Sequence, residues 1–352
     1  MTDESDGTAG LAVVVEKPRA QRAIDAVRAA GVYDADRRVR EYGDAAVAVP
    51  VTEVPEGVEY REVVRQVGEP RLRTLADHLR ERGWTDDEIE RAPSSWAVVG
   101  SVVLVAVGDA PRPEELGAAL LALHGEADTV LARGGIEGPH REPDVTVLAG
   151  EGDTETVHHE HGTAYGLDLA EVMFSPGNKA ERARMGQVIE AGERVLDMFA
   201  GIGYFTLPMA RAGATVTAVE RNPTAFRYLV ENARRNGVTD RVRPYRADCR
   251  EVAPLVAEDG RFDRAVLGYY DATEPDDDGG FAYLDPALAA LAPGGVLHVH
   301  EATPGPLAPE RPIDRLRAAA DAAGRSVEVL DTREVKGYSE GVVHVVVDAR
   351  VG

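Results

Sequence analysis

The sequence predicts an α/β protein whose C-terminal half is a doubly wound, Rossmann-like sheet. The first observation is an apolar run that contains Asp197 and leads into the glycines Gly201 and Gly203. The second is a helical stretch followed by another apolar run, which ends in Glu220. This order of strand, glycine turn, helix, strand and acidic residue is typical of nucleotide-binding βαβ units.

Strands and helices alternate through the rest of this half, which favours a parallel sheet covered by helices on both faces. Two final apolar runs, 327–335 and 342–347, have no helix between them and predict an antiparallel edge to a seven-stranded sheet. The other predicted helices are 223–235, 281–291 and 313–322, and the other predicted strands are 242–247, 262–267 and 295–300.

The first 173 residues are predicted to form two smaller modules. A strand, an amphipathic helix and a second strand predict a small N-terminal α/β domain over residues 1–66. Residues 67–173 carry mixed strands with few helices and predict a middle α+β domain. The Rossmann-like domain then covers residues 174–352, and its low-complexity segment is the acidic run 274–280.

The formal net charge of the chain is −22. So acidic a protein would normally repel nucleic acid. We interpret the charge as adaptation to concentrated salt, where the screening length falls to about 3 Å at 1 M, so an RNA substrate is not excluded. This interpretation predicts that the fold loosens in dilute buffer. A thermal unfolding temperature that is the same in low and molar salt would contradict it.

No apolar run reaches membrane-spanning length and the chain starts with an acidic segment, so a cytoplasmic protein with no membrane partner is expected. Cys249 is the only cysteine, which excludes an intrachain disulfide and a cysteine-based zinc site. Residues 158–161 read His-His-Glu-His, but on a strand His158 faces away from His159 and His161. Surface or RNA-facing histidines are therefore expected, and no metal.

Two details distinguish the glycine turn from that of a dinucleotide-binding protein. Thr206 stands where a third glycine would fall, and Asp197 lies inside the first strand. The pattern Asp-x-Phe-x-Gly-x-Gly, with Glu220 and later Asp248, resembles the class I S-adenosylmethionine-dependent transferases. An NAD-type unit is the alternative. The resemblance implies that S-adenosylmethionine is the cofactor.

Ligands of open α/β sheets lie at the carboxyl ends of the strands, so the residues there are the cofactor candidates. Glu220 is expected to accept hydrogen bonds from both ribose hydroxyls, and Asp248 to accept one from the adenine amino group. The remaining candidates at these strand ends are Asp197, Phe199, Gly201, Gly203, Cys249 and Gly268.

The segment that enters the Rossmann-like domain carries a second group of candidates. Ser175 and Arg182 can reach the carboxylate and ammonium end of the cofactor, since an arginine fork binds a carboxylate through two hydrogen bonds. Asn178 and Glu181 form a capping-box pattern. Glu181 therefore has two open roles, helix capping and chemistry.

Motifs along most of the chain resemble archaeal tRNA enzymes that act on purine 37. One branch of this family methylates N1 of guanine-37. The other transfers the 3-amino-3-carboxypropyl group of S-adenosylmethionine to 4-demethylwyosine during wybutosine synthesis. The motifs, in chain order, are 134–141, 149–151, 154–156, 161–162, 167–168, 174–176 and 197–203.

Three positions favour the wybutosine branch. Gly177 stands where the methyltransferases usually have Arg, and residues 268–270 read Gly-Tyr-Tyr where they usually have Asn-Leu-Pro. Residues 298–301 match the His-x-His-Glu of the wybutosine branch. The resemblance implies aminocarboxypropyl transfer to position 37 of tRNA(Phe), with release of methylthioadenosine. A guanine-37 N1-methyltransferase and an inactive tRNA-binding protein are the alternatives.

The same resemblance implies roles for individual residues. Glu181 matches the proposed general base of the methyltransferase branch, and Tyr269 is a second catalytic candidate. Arg133 and Arg141 are candidates for holding the anticodon loop of the tRNA. A monomer is expected. The cofactor positions that the resemblance implies are Ser175, Arg182, Glu220, Asp248 and Cys249.

Overall fold

The computed structural model describes residues 10–66, 71–138, 140–258 and 260–352. The chain divides after Trp84 into two compact units. The predicted division into three domains stays a prediction. The acidic start of the chain and the beginning of the predicted middle domain lie outside the described ranges.

The N-terminal unit is a four-stranded antiparallel sheet with the order β2-β3-β1-β4. Val13 and Val49 of the sheet are buried together with Val27 of the first helix, so the helix covers one face. The predicted strand, helix and second strand are confirmed. The elements are β1 (Gly10–Glu16), α1 (Ala20–Ala29), β2 (Arg40–Tyr42), β3 (Ala46–Val51), β4 (Glu62–Gln66) and α2 (Leu75–Glu81).

The second unit begins with a four-stranded sheet, a helix packed on it and a separate hairpin. The apolar run after residue 95 forms two short strands, because Gly100 takes a positive φ of 58° and turns the chain. The sheet order is β5-β6-β7-β8, and β9 pairs with β10. The elements are α3 (Asp86–Glu90), β5 (Trp96–Val99), β6 (Val102–Val105), α4 (Pro113–Leu123), β7 (Thr129–Glu137), β8 (Glu142–Gly150), β9 (Glu155–Glu160) and β10 (Thr163–Asp168).

The rest of the second unit contains the predicted seven-stranded sheet, with the order β13-β12-β11-β14-β15-β17-β16. The elements are α5 (Lys179–Gln187), β11 (Arg194–Asp197), α6 (Thr206–Ala212), β12 (Thr215–Val219), α7 (Pro223–Arg235), β13 (Val242–Tyr245), α8 (Cys249–Glu258), β14 (Phe262–Leu267), α9 (Leu284–Ala290), β15 (Leu291–Pro304), α10 (Glu310–Ala322), β16 (Val327–Ser339) and β17 (Val342–Val351).

Five strands of this sheet, from β13 to β15, are parallel, and β17 is antiparallel to both of its neighbours. Helices bury apolar residues against both faces, such as Leu207 on one face and Leu288 on the other. The chain continues from β11 to α6 on one face of the sheet, and from β14 to α9 on the other face. The crevice at the carboxyl ends of these two strands is therefore the expected ligand site.

Two predicted bounds differ from the structure at the last strands. The helix predicted over 281–291 covers only Leu284–Ala290, and Leu291 already belongs to β15. The strand β15 runs to Pro304 because it pairs with β17 over ten successive residues. Within the described ranges, no helix combines the length and apolar character needed to cross a membrane.

Candidate functional site

The glycine turn after β11 requires glycine at two positions. Gly201 has a φ of 56° and Gly203 one of 104°, a region that side chains rarely adopt. A Cβ atom at Gly203 would lie 2.8 Å from Cγ of Leu207, and one at Gly201 would collide with the ring of Tyr204. The turn therefore keeps its backbone close to the crevice, as the sequence predicts.

Glu220 follows β12 and holds the glycine turn through its carboxylate. Its Oε2 accepts a hydrogen bond of 2.8 Å from the Gly201 amide, and Oε1 accepts one of 2.7 Å from the Asn222 amide. Burial raises the pKa of this carboxyl. Each carboxylate oxygen has a second acceptor site, so Glu220 can still accept from two ribose hydroxyls.

Asp197 supports the turn from inside the protein. The side chain is fully buried, and its Oδ2 accepts a 2.6 Å hydrogen bond from the Thr206 hydroxyl. Burial raises the pKa of Asp197 to about 6. Asp197 thus binds the first residue of α6, and its direct contact with the cofactor stays a prediction.

Three aromatic rings form one wall beside the turn. Phe199 lies 5.2 Å from Tyr269 and 5.2 Å from Tyr283 between ring centroids. Burial raises the pKa of Tyr269 to about 12, so this phenol is protonated near neutral pH, and its catalytic role stays a prediction. Sequence reasoning missed Tyr283, since it placed this residue inside the helix predicted over 281–291 and not at the site.

Asp248 and Cys249, which follow β13, have different surroundings: the first pairs with an arginine and the second is buried in the core. The Asp248 carboxylate receives the Arg250 guanidinium in a fork of 2.9 and 2.7 Å, which lowers the pKa of Asp248. The predicted adenine acceptor thus already has a cationic partner. Cys249 is buried in the hydrophobic core, and burial raises the pKa of its thiol to about 12.

Arg182 has a different partner from the predicted cofactor carboxylate. Its Nε and one terminal nitrogen donate to the two carboxylate oxygens of Glu160 at 2.6 and 2.8 Å. The other terminal nitrogen donates to the Ser175 carbonyl at 2.9 Å. Because this guanidinium is buried and bound by the Glu160 carboxylate, its hydrogen bond to the Ser175 carbonyl fixes the backbone of Ser175.

The buried Glu160 carboxylate predicts an acid-sensitive contribution to stability. Burial raises its pKa, but hydrogen bonds from His158 and Arg182 lower it further, to about 2. A pKa depressed in the folded state stabilises the protein above the unfolded value of about 4.3, and this contribution disappears as the pH falls toward 2. In chemical denaturation between pH 7 and 2.5, the stability difference between wild type and Glu160→Gln should shrink with falling pH. A difference that stays constant would contradict the assignment, and Glu151→Gln, an exposed glutamate on the preceding turn, is the control.

Glu181 forms neither the capping box nor an open general base. The side chain of Asn178 makes no hydrogen bond to the helix start. Arg333 of β16 donates its Nε to Glu181 Oε2 at 2.8 Å, and a terminal nitrogen to Asp348 Oδ2 at 2.9 Å. Both carboxylates are buried. The acceptor oxygens of Glu181 thus face a guanidinium that anchors them, and a catalytic role of Glu181 stays a prediction.

The network continues through the motif histidine His298. Its Nε2 lies 2.7 Å from a terminal nitrogen of Arg264, which can only donate. The proton of the neutral imidazole is consequently on Nδ1, which lies 2.6 Å from Asp348. Burial lowers the pKa of His298, in agreement with the neutral form. His300 and Glu301 of the same motif are also buried.

The β7–β8 hairpin reaches the crevice. The carbonyl of His140 accepts a 3.1 Å hydrogen bond from Nδ2 of Asn222. The guanidinium of Arg141 lies 5.9 Å from the centroid of the Tyr269 ring. Burial and, to a smaller extent, the charge of Arg133 on β7 lower the pKa of Lys336. Arg141 thus lies beside an aromatic residue of the site, and RNA contact by either arginine stays a prediction.

No group of three or more histidine, cysteine or acidic side chains suited to a metal ion occurs in the described part of the chain.

The sheet order, the glycine turn and Glu220 together define a class I S-adenosylmethionine-dependent transferase fold. Two family models match the sequence: the TRM5/TYW2 methyltransferase domain over residues 156–330, and the TYW2 N-terminal domain over residues 75–154.

The chain belongs to the TRM5/TYW2 family. It is 35% identical over 286 residues to the tRNA(Phe) (4-demethylwyosine(37)-C(7)) aminocarboxypropyltransferase of Pyrococcus horikoshii, which covers 80% of this chain and 96% of that protein. The structure of Pyrococcus horikoshii TYW2 in complex with MeSAdo matches with a TM-score of 0.64 and 33% identity, over 78% of this chain and 96% of that one. Trm5b from Pyrococcus abyssi matches with a TM-score of 0.70 and 29% identity, over 97% and 99% of the two chains.

Proposed function

We propose that this protein transfers the 3-amino-3-carboxypropyl group of S-adenosylmethionine to 4-demethylwyosine at position 37 of tRNA(Phe), with release of methylthioadenosine. The observation that favours this branch of the family over the methylating branch is the close packing around two glycines. A Cβ atom at Gly268 would lie 3.2 Å from the Phe205 ring, and one at Gly177 would lie 2.9 Å from Cδ of Lys336. The larger side chains usual in the methylating branch would displace these neighbours.

The described residues fit S-adenosylmethionine at its nucleoside end. The positive-φ turn at Gly201 and Gly203 leaves room for a close ligand, and Glu220 retains acceptor sites for ribose hydroxyls. The bound sulfonium activates each of its three attached carbons. The rings of Phe199 and Tyr269 provide an apolar wall that excludes water there. Catalysis in this proposal is mainly positioning of the reacting groups.

On the RNA side, the proposal assigns the anticodon loop to the surface near Arg133 and Arg141. These arginines flank the site in a chain whose net charge is −22. Their positive charge gives the phosphate backbone a local partner despite the acidic surface.

We further propose that the protein acts as a cytoplasmic monomer in concentrated salt. Light scattering that shows a stable dimer under those conditions would contradict the monomer.

The decisive experiment identifies the by-product of the reaction. The protein is incubated with S-adenosylmethionine and tRNA(Phe) that carries 4-demethylwyosine, and in parallel with tRNA(Phe) that carries guanine at position 37. Methylthioadenosine with the first tRNA supports the proposal. S-adenosylhomocysteine with the second tRNA alone identifies a methyltransferase, and neither product identifies an inactive tRNA-binding protein.

The guanine-37 N1-methyltransferase is the second candidate, and one observation favours it. Pyrococcus abyssi Trm5b matches 97% of this chain, whereas Pyrococcus horikoshii TYW2 matches 78%. The methylating relative thus covers a larger share of this chain than the aminocarboxypropyl-transferring relative does. The glycines at 177 and 268 and the match to the TYW2 N-terminal domain over residues 75–154 favour aminocarboxypropyl transfer.

A further inference from the structure

Lys336 is an ammonium group held beside the entrance segment of the catalytic domain. It is one of three lysines in the chain and lies on β16. Its Nζ donates a 2.6 Å hydrogen bond to Oγ of Ser175, and its side-chain carbons pack against Gly177. The side chain is only partly exposed. The positive charge is therefore fixed next to a residue that the sequence places at the methionine end of the cofactor.

Among the described residues, Arg182 and Arg333 have carboxylate partners, whereas Lys336 has no ion pair with a carboxylate. Arg182 pairs with Glu160, and Arg333 pairs with Glu181 and Asp348. Burial and the charges of Arg133 and Arg182 lower the pKa of Lys336. A half-buried cation without a counter-ion is costly, and a bound anion would relieve that cost.

The atoms around Lys336 suit a carboxylate. Ser175 Oγ accepts from Nζ, so the hydroxyl hydrogen of Ser175 can be donated to a ligand. Nζ has two further hydrogens. These two adjacent groups can both donate to one ligand, and a carboxylate has two oxygens to accept from them. The glycine at 177 leaves the room that the lysine side chain occupies.

We propose that Lys336, with Ser175, binds the carboxylate of the methionine part of S-adenosylmethionine. The inference rests on the proposed cofactor and deepens it. Lys336 takes the place that sequence reasoning gave to Arg182, whose guanidinium is occupied by Glu160. A fixed carboxylate end restricts rotation of the aminocarboxypropyl chain, so its carbon next to sulfur is held in one position toward the base.

The test compares ligands with and without the carboxylate by calorimetry, in the absence of tRNA. Lys336→Met should weaken S-adenosylmethionine binding at least tenfold, while methylthioadenosine, which lacks the amino-acid chain, should bind within twofold of wild type. Lys336→Arg should recover part of the lost affinity. Lys179→Met is the matched control, because Lys179 is exposed at the start of α5.

Retained methylthioadenosine binding shows that the variant is folded. Equal weakening of both ligands would overturn the proposal in favour of a structural role. Unchanged binding of S-adenosylmethionine with weaker tRNA binding would also overturn it and would assign Lys336 to an RNA phosphate. Because these measurements use no tRNA and follow no transfer, they stay separate from the by-product assay that tests the proposed function.

Discussion

Glu220→Ala is expected to weaken S-adenosylmethionine binding at least 100-fold, which corresponds to about 3 kcal/mol. The variant loses the acceptors for the ribose hydroxyls, each worth roughly 1.5–3 kcal/mol as hydrogen bonds to a charged group. It also releases the amides of Gly201 and Asn222, which the carboxylate holds at 2.8 and 2.7 Å. The glycine turn therefore loses its support together with the ligand contact.

Calorimetry with S-adenosylmethionine measures this effect, and thermal unfolding checks that the variant is folded. Glu231→Gln is a suitable control, because Glu231 lies on α7 and pairs only loosely with Arg227, at 3.5 Å. An unchanged dissociation constant for Glu220→Ala would remove Glu220 from the cofactor site. Glu220→Gln should fall between wild type and alanine, since an amide keeps one acceptor oxygen.

Arg333→Met is expected to lower the free energy of unfolding by about 3 kcal/mol. The substitution leaves Glu181 and Asp348 buried without the guanidinium from which both carboxylates accept hydrogen bonds. Removal of one partner from a buried ion pair costs more than the pair contributes, because the remaining charge is uncompensated. Asp348 keeps its hydrogen bond from His298, so the largest disturbance is expected at Glu181.

Arg350→Met provides the comparison for Arg333→Met in urea denaturation. Arg350 is on the neighbouring strand β17 and faces Glu328 at 3.8 Å with both side chains exposed, so its loss should cost less than about 0.5 kcal/mol. Glu181→Gln combined with Arg333→Met should recover part of the lost stability. Equal effects of the two arginine substitutions would show that the network does not stabilise the fold.

The sequence predicted the architecture well because the relevant patterns are local. Apolar runs alternate with amphipathic helices along the catalytic half, and the seven-stranded sheet follows from that alternation. The glycine turn and Glu220 were predictable for the same reason. Residues other than glycine rarely adopt the required positive φ values, and Glu220 follows its strand directly in the sequence.

The partners of the entrance residues were not predictable in this way. Glu181 and Ser175 are bound by Arg333 and Lys336, and no spacing rule connects residues so far apart in the sequence. The capping-box pattern at Asn178 was wrong for a related reason, since Glu181 meets a stronger partner in Arg333. Asp197 is likewise buried, and burial of a strand-end carboxylate is not visible in a residue pattern.

The wide separation of these partners has a consequence for synthesis of the chain. Ser175 is held by a side chain 161 positions later, and Glu181 by one 152 positions later. Contacts this distant form slowly, because a long segment must be closed before they contribute. During synthesis on the ribosome, Ser175 and Glu181 emerge long before β16, which carries Lys336 and Arg333. The entrance segment of the catalytic domain therefore reaches its final hydrogen bonding only when the last strands of the sheet have been made.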